Sequence, residues 1–138
     1  MTDPSAPGPG VTPHLTIPSR GGQAAVEFYQ RAFGAVVDRS VPAEDGERLM
    51  HARLIINGGG LMLHDEFPEY GHEADAVPRC VTLHLQVDDP DEWWSRALLA
   101  GAVPIMPLAD QFWGDRYGQL KDPLGHVWSF GGPIRTPA

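Results

Sequence analysis

The feature that most narrows what this chain can fold into is an internal repeat. From residue 11 it opens on VTPHLTIP, alternating with a period of two, and passes through Gly21-Gly22 into QAAVEFYQRAFGA. There Ala25, Phe28, Tyr29, Ala32 and Phe33 fall on one helical face, and Gly34 ends the helix. From residue 81 the same order returns: VTLHLQVDD alternates, and PDEWWSRALLAGA supplies a helix with Pro90 near its start, acids in its first turn and Gly101 at its end. Three strand candidates follow each helix, VVDRSVPA, ERLMHARLIIN and GLMLHDE in the first half, then VPIMPLADQF, DRYGQLKD and HVWSFGG in the second. Asp45-Gly46, Asn57-Gly58-Gly59-Gly60 and Asp122-Pro123-Leu124-Gly125 mark the turns. Both halves read βαβββ, over residues 11–67 and 79–132. A four-stranded sheet with one helix leaves a face open, so the expected fold is α+β, two βαβββ modules pairing into a curved eight-stranded mixed sheet that lines a cleft.

What lies outside the repeat is polar and rich in proline. Residues 1–10 carry Pro4, Pro7 and Pro9 among small polar neighbours and read as a disordered tail. Residues 68–78, with Glu69, Glu73 and Asp75 between Pro68, Gly71 and Pro78, read as an acidic linker, leaving 11–132 as a single domain. Lys and Arg number 10 against 18 Asp and Glu, a formal charge of −8, which argues against binding nucleic acid phosphates or an anionic membrane. No apolar run approaches the roughly 20 residues that span a bilayer. The first ten residues lack the pattern of an export signal, and the lone Cys80 allows no internal disulfide, so a cytoplasmic location is expected. GxGxxG, GxxxxGK[ST] and GxSxG are absent, so no nucleotide cofactor and no serine hydrolysis is expected.

Candidate chemistry gathers on the strands. His14 shares a face with Thr12 and Thr16, and His84 with Thr82 and Gln86, while Leu15, Ile17, Leu83, Leu85 and Val87 take the opposite faces. Counted from Gly60 and Gly125, His64 and Ser129 occupy equivalent positions. Imidazoles converging from separate strands can hold zinc, nickel, iron or manganese at about 2.0 to 2.1 Å, with Ser129, a poor ligand, leaving a coordination position open. The alternative is a metal-free polar cleft in which the same imidazoles bond to one another, to water or to an organic ligand. His51, on the third strand, is a candidate substrate contact or a hydrogen-bonded structural imidazole. Counted back from Asp122, Arg116 takes its place in the second half. In FWGDRYG, Trp113 and Tyr117 would wall a pocket beside Phe112, and Arg116 would bind a carboxylate or phosphate, or else pair internally with Asp115. Asp65, Glu66 and Asp115 are the acids that could act as a base. His126 and Trp128 read as a turn followed by core, and Trp93 and Trp94 as core and dimer surface.

Five ordered segments, FYQRAFGA at 28–35, HARLIING at 51–58, LMLHDE at 61–66, VTLHLQVDDPD at 81–91 and DQFWGDRYGQLKDPLGHVW at 110–128, carry a family resemblance. Residues 11–132 resemble the vicinal oxygen chelate superfamily, the glyoxalase, bleomycin-resistance and extradiol-dioxygenase fold, and within it the PhnB-like branch. The resemblance implies one divalent metal held by His14, His64 and His84; His51, Trp113, Arg116, Tyr117 and Ser129 are the candidate substrate contacts. Ser129 stands where the family has a terminal Glu, ligand and base in glyoxalase I, so that mechanism does not carry over. Two functions follow: a metal-assisted lyase or isomerase acting on a small oxygen-rich metabolite, or a protein that binds or sequesters an antibiotic-like small molecule. A homodimer is the expected assembly.

Overall fold

The computed structural model describes residues 10–71, 78 and 80–134. The tail expected over 1–10 lies outside the described residues except for Gly10, as do residues 72–77 of the expected linker and residue 79, the first of the second expected module. The linker's first part, Pro68–Tyr70, is a single 3-10 turn.

The elements run β1 (His14–Ile17), α1 (Gly22–Phe33), β2 (Val36–Pro42), β3 (Leu49–Ile56) and β4 (Gly59–Asp65), then β5 (Thr82–Gln86), α2 (Pro90–Ala100), β6 (Val103–Asp110), β7 (Arg116–Lys121) and β8 (Val127–Gly132). The expected α+β class stands, with the eight strands arranged as two four-stranded mixed sheets of the same order, β1-β4-β3-β2 and β5-β8-β7-β6. In each, the first strand pairs in parallel with the last and the other neighbours are antiparallel. By contacts the chain divides into two units. The first gathers β1, α1 up to Gln30 and β2 to β4, and the second gathers β5 to β8, α2 and the last turn of α1, Arg31–Phe33.

The helices form where their apolar stripes predict. Ala25, Phe28, Tyr29, Ala32 and Phe33 are all buried, and α1 ends at Gly34 in the left-handed region. Asp89 caps α2, its carboxylate accepting the Glu92 N–H at 3.2 Å, and Pro90 occupies the first turn, where a missing N–H costs nothing. In the second unit Phe33 packs on Trp128 and Phe130 at ring separations of 4.6 and 5.8 Å, and Trp93 and Trp94 each lie 6.2 Å from Phe130.

Strand alternation separates a buried face from a polar one. In the first unit Leu15, Ile17, Ala52, Leu54, Leu61 and Leu63 are buried, so Thr16, His51, Met62 and His64 take the other face. In the second, Leu85, Leu120, Trp128 and Phe130 are buried, which puts His84, Tyr117, Gln119 and Ser129 together. Register shifts interrupt the β2–β3 and β6–β7 pairings, and one of them lies beside the polar face. The β2–β3 register passes from Val41 opposite His51 to Pro42 opposite Leu49, leaving Met50 as the extra residue of a bulge, which re-aims its side chain.

Candidate functional site

Each unit presents its own polar face, and the two differ in chemistry. On the second unit, the parallel β5–β8 pairing sets His84 directly across from Ser129. The Gln86 carbonyl oxygen, an acceptor only, lies 2.9 Å from His84 Nε2, so Nε2–H donates there; Nδ1 then accepts the Ser129 hydroxyl at 2.7 Å. Both ring nitrogens are thus held by neutral partners, and Ser129 is buried. Tyr117 stacks on the imidazole with ring planes 20° apart and centroids 6.0 Å apart, and its hydroxyl accepts Gln119 Nε2–H at 3.0 Å. Trp113 meets Tyr117 edge-on at 5.7 Å, and Phe112 meets Trp113 at 5.1 Å. The aromatic run therefore reaches from a 97% exposed Phe112 through a half-exposed Trp113 to the held imidazole.

The first unit carries three imidazoles. His14 and His64 meet edge-on with centroids 4.9 Å apart, and His14 and His51 at 5.9 Å. His64 Nδ1–H donates to the Asp65 backbone carbonyl at 2.6 Å, and Thr16 Oγ1 is 3.5 Å from Nε2. Burial, the Arg39 cation and His64 hold the His51 pKa below the usual histidine value. A cavity of about 390 Å³ is lined by His14, Met50, His64, Phe67 and Tyr70. Beside it Arg48 lies over the Phe67 ring at 4.3 Å, its guanidinium occupied by Asp45 and Glu69.

Register corrects one expectation. Across from His14 stands Met62, while His64 stands across from Thr16. The places of His14 and His84 correspond: three positions on, Asp65 abuts Gly22 at the start of α1, and Gly132 abuts Pro90 at the start of α2. The counterpart of Ser129 is therefore Met62, and counting from glycine puts His64 two residues too far along β4.

Arg116 is the second correction. It shares the helix-side face of β7 with buried Gly118 and Leu120, and its guanidinium forks onto Asp91 of α2 at 2.8 and 2.9 Å with Asp110 at 3.1 Å. It pins α2 to β7, away from the polar face and not to Asp115, so it is not a substrate contact; the residue facing His84 from β7 is Tyr117. Asp65 is no base either. Fully buried, it accepts Gly22 N–H at 2.8 Å and Leu49 N–H at 2.7 Å, tying α1 to β3. Glu66 accepts the Ser19 N–H at 3.1 Å. Gln86 stands on the His84 face as its alternation predicts, while Gln119, Met50 and Met62 went unnoticed in the sequence; period-two alternation with His64 would have found Met62.

Two repeated βαβββ modules, each a four-stranded mixed sheet with a polar strand face opposite its core, define the class of fold. The chain matches the Glyoxalase/Bleomycin resistance protein/Dioxygenase superfamily over residues 12–130 and belongs to it. An uncharacterized protein of Mycobacterium bovis is 44% identical over 132 residues, spanning 92% of this chain and 85% of that one. TioX from Micromonospora sp. ML1 has a similar structure, with a TM-score of 0.69 at 29% identity over 91% of this chain and 100% of that one. A PhnB protein from Bacillus cereus shares the fold, with a TM-score of 0.69 at 17% identity, covering 91% and 98%.

Members of this superfamily often bind a divalent metal, and the donors here do not fit one. At the two parallel-paired positions each imidazole faces a neutral, weak ligand, the Met62 thioether or the Ser129 hydroxyl, where a carboxylate would suit a hard divalent ion. His84 has both nitrogens engaged. Among the described residues no group of three His, Cys, Asp or Glu side chains is arranged to hold a metal ion.

Proposed function

We propose that this chain is a small-molecule-binding member of its superfamily, holding a flat, uncharged, hydrogen-bonding compound on the polar face of its second unit without turnover. The observation that carries this reading is the His84 imidazole, fixed by Ser129 and Gln86 and stacked on Tyr117. A ring whose two nitrogens are both taken by neutral neighbours offers no open metal position, but it does offer a stacking platform. Aromatic contacts of this kind are worth about 0.5 to 1.5 kcal/mol each beyond area burial. Trp113, Tyr117 and the His84 ring are the stacking contacts, with Ser129 and Gln86 holding that ring in place; His51, on the other unit, is outside this set.

The metal-assisted lyase or isomerase reading, with His14, His64 and His84 as ligands, is the weaker one because Met62 and Ser129 stand at the paired positions. We further propose a homodimer and a cytoplasmic location; the free, exposed Cys80 suits a reducing compartment.

The test is a thermal-shift and tryptophan-fluorescence titration with bleomycin and with flat heteroaromatic amides, nicotinamide first. Wild-type protein is expected to gain several degrees of Tm with at least one of these probes, and Trp113→Ala and Tyr117→Ala to lose the gain. A response unchanged in both variants, no response to any probe, or a stoichiometric divalent ion lost in His84→Ala would sink the reading.

A further inference from the structure

We propose that an open cavity on the helices of the second unit binds an aliphatic carboxylate of medium chain length, its anion held by Arg31 and Arg96 and its chain laid along Leu99 and Ala100. The cavity, of about 450 Å³, is lined by Arg31 from the last turn of α1 and by Glu92, Ser95, Arg96, Leu99 and Ala100 of α2. That volume is in the range of small-molecule sites. Helical spacing makes the α2 wall: Glu92, Ser95, Arg96 and Leu99 stand three and four residues apart and share one face, while Pro90 and Ala97 are buried. Arg96 builds the junction with α1. Its Nε–H donates to the Arg31 carbonyl at 2.9 Å, one of the last four carbonyls of α1, which lack a partner within the helix. That bond leaves both Nη groups of Arg96 for a ligand and joins them to a second guanidinium at the same cavity.

Charge sets the class of ligand. Among the described residues Arg20, Arg48, Arg53 and Arg116 each pair with a carboxylate, and no carboxylate pairs with Arg31 or Arg96. Glu92 is the acid among the lining residues, so two guanidiniums face one carboxylate and a single positive charge is left to balance. A carboxylate supplies that charge, and its two oxygens match the fork of a guanidinium. Leu99, 90% exposed, and Ala100 carry the cavity past the charges as apolar surface, which gains only from a ligand with a hydrocarbon tail. The site shares no residue with the stacking face of His84 and Tyr117, so each can fail without the other.

The experiment is a calorimetric titration of the full chain with sodium octanoate at low ionic strength, beside acetate, which has the charge without the tail, and octanol, which has the tail without the charge. Arg31→Gln/Arg96→Gln and Leu99→Asp are compared with wild type; all three positions are exposed, so the variants keep the fold, which a thermal melt verifies. One octanoate per chain is expected, with acetate and octanol each weaker by about tenfold or more. Each exposed guanidinium is worth a few-fold, so the double variant should bind octanoate roughly tenfold more weakly. Leu99→Asp sets an acid in the path of the tail and should abolish binding. No uptake of octanoate, octanol binding as tightly as octanoate, undiminished binding in either variant, or loss of binding in Trp113→Ala would overturn the proposal.

Discussion

Asp122 ties three groups of the second unit to one side chain. Buried, it accepts the Leu124 and His126 N–H groups at 2.9 and 3.0 Å and the Trp128 indole N–H at 2.9 Å, so one carboxylate builds the β7–β8 turn and anchors a core ring. Hydrogen bonds to charged groups are worth about 1.5 to 3 kcal/mol and orphaned buried donors cost about as much, so Asp122→Ala is expected to lose about 3 kcal/mol or more in a urea melt. The same turn brings a pH dependence. His126 is buried, its Nδ1 lacks a hydrogen-bond partner, and Asp122 Oδ2 is 3.9 Å away. Burial lowers its pKa against the weaker opposing pull of Asp122, and His51 is lowered as well. Both are neutral in the folded protein while the unfolded chain takes up protons near pH 6.5, so stability is fully present above pH 6.5 and falls as the pH drops toward the folded values. The expected slope is at most about 1.4 kcal/mol per pH unit per histidine. Tm followed from pH 7.5 to 5 should fall in wild type and stay flatter in His51→Gln/His126→Gln; parallel curves would refute the assignment.

At the scale of elements, both helices and all eight strands were legible, because apolar residues at helical spacing or strict alternation report one buried face, and Gly34, Gly101 and Pro90 punctuate the ends. The pairing of β1 with β4 was not. A period of two says which residues share a face but not which residue of a strand 48 positions away stands opposite, and that step separates Met62 from His64. Nor did sequence spacing reveal that Asp91, not its neighbour Asp115, takes Arg116, since that pair forms only when α2 docks on β7. In β8 the decisive residue has no side chain. A Cβ at Gly131 would come within 2.8 Å of Gln86 Oε1 and of the His84 ring, so His84 and Gln86 lie flat only because Gly131 leaves room. Both obstacles are side-chain atoms that can swing away. Gly131→Ala is therefore expected to cost about 1 kcal/mol or less while abolishing the probe-induced Tm gain; an unchanged gain would show that the imidazole's position is irrelevant to binding.

For the whole molecule, the outermost strands are the open question. β2 and β6 are exposed along most of their length, with Val36 at 62%, Val103 at 62% and Ile105 at 48%. Exposed edge strands bearing β-branched apolar residues invite pairing with another chain. Light scattering is expected to return about twice the 15.0 kDa chain mass. Val36→Lys with Val103→Lys should shift the population to monomer without lowering the helix and strand signal; a monomeric wild type would contradict this.

The parallel pairing of first strand with last also sets an order of events during synthesis. β2, β3 and β4 can close as a meander while the chain emerges, but β1 must wait for β4, since Leu15 pairs with Leu63 and the carboxylate that fixes the start of α1 is Asp65. A nascent chain halted before residue 65 clears the ribosome thus carries a helix and a strand with nothing to close on. In the window before that residue appears, the growing chain is most in need of a chaperone's cover.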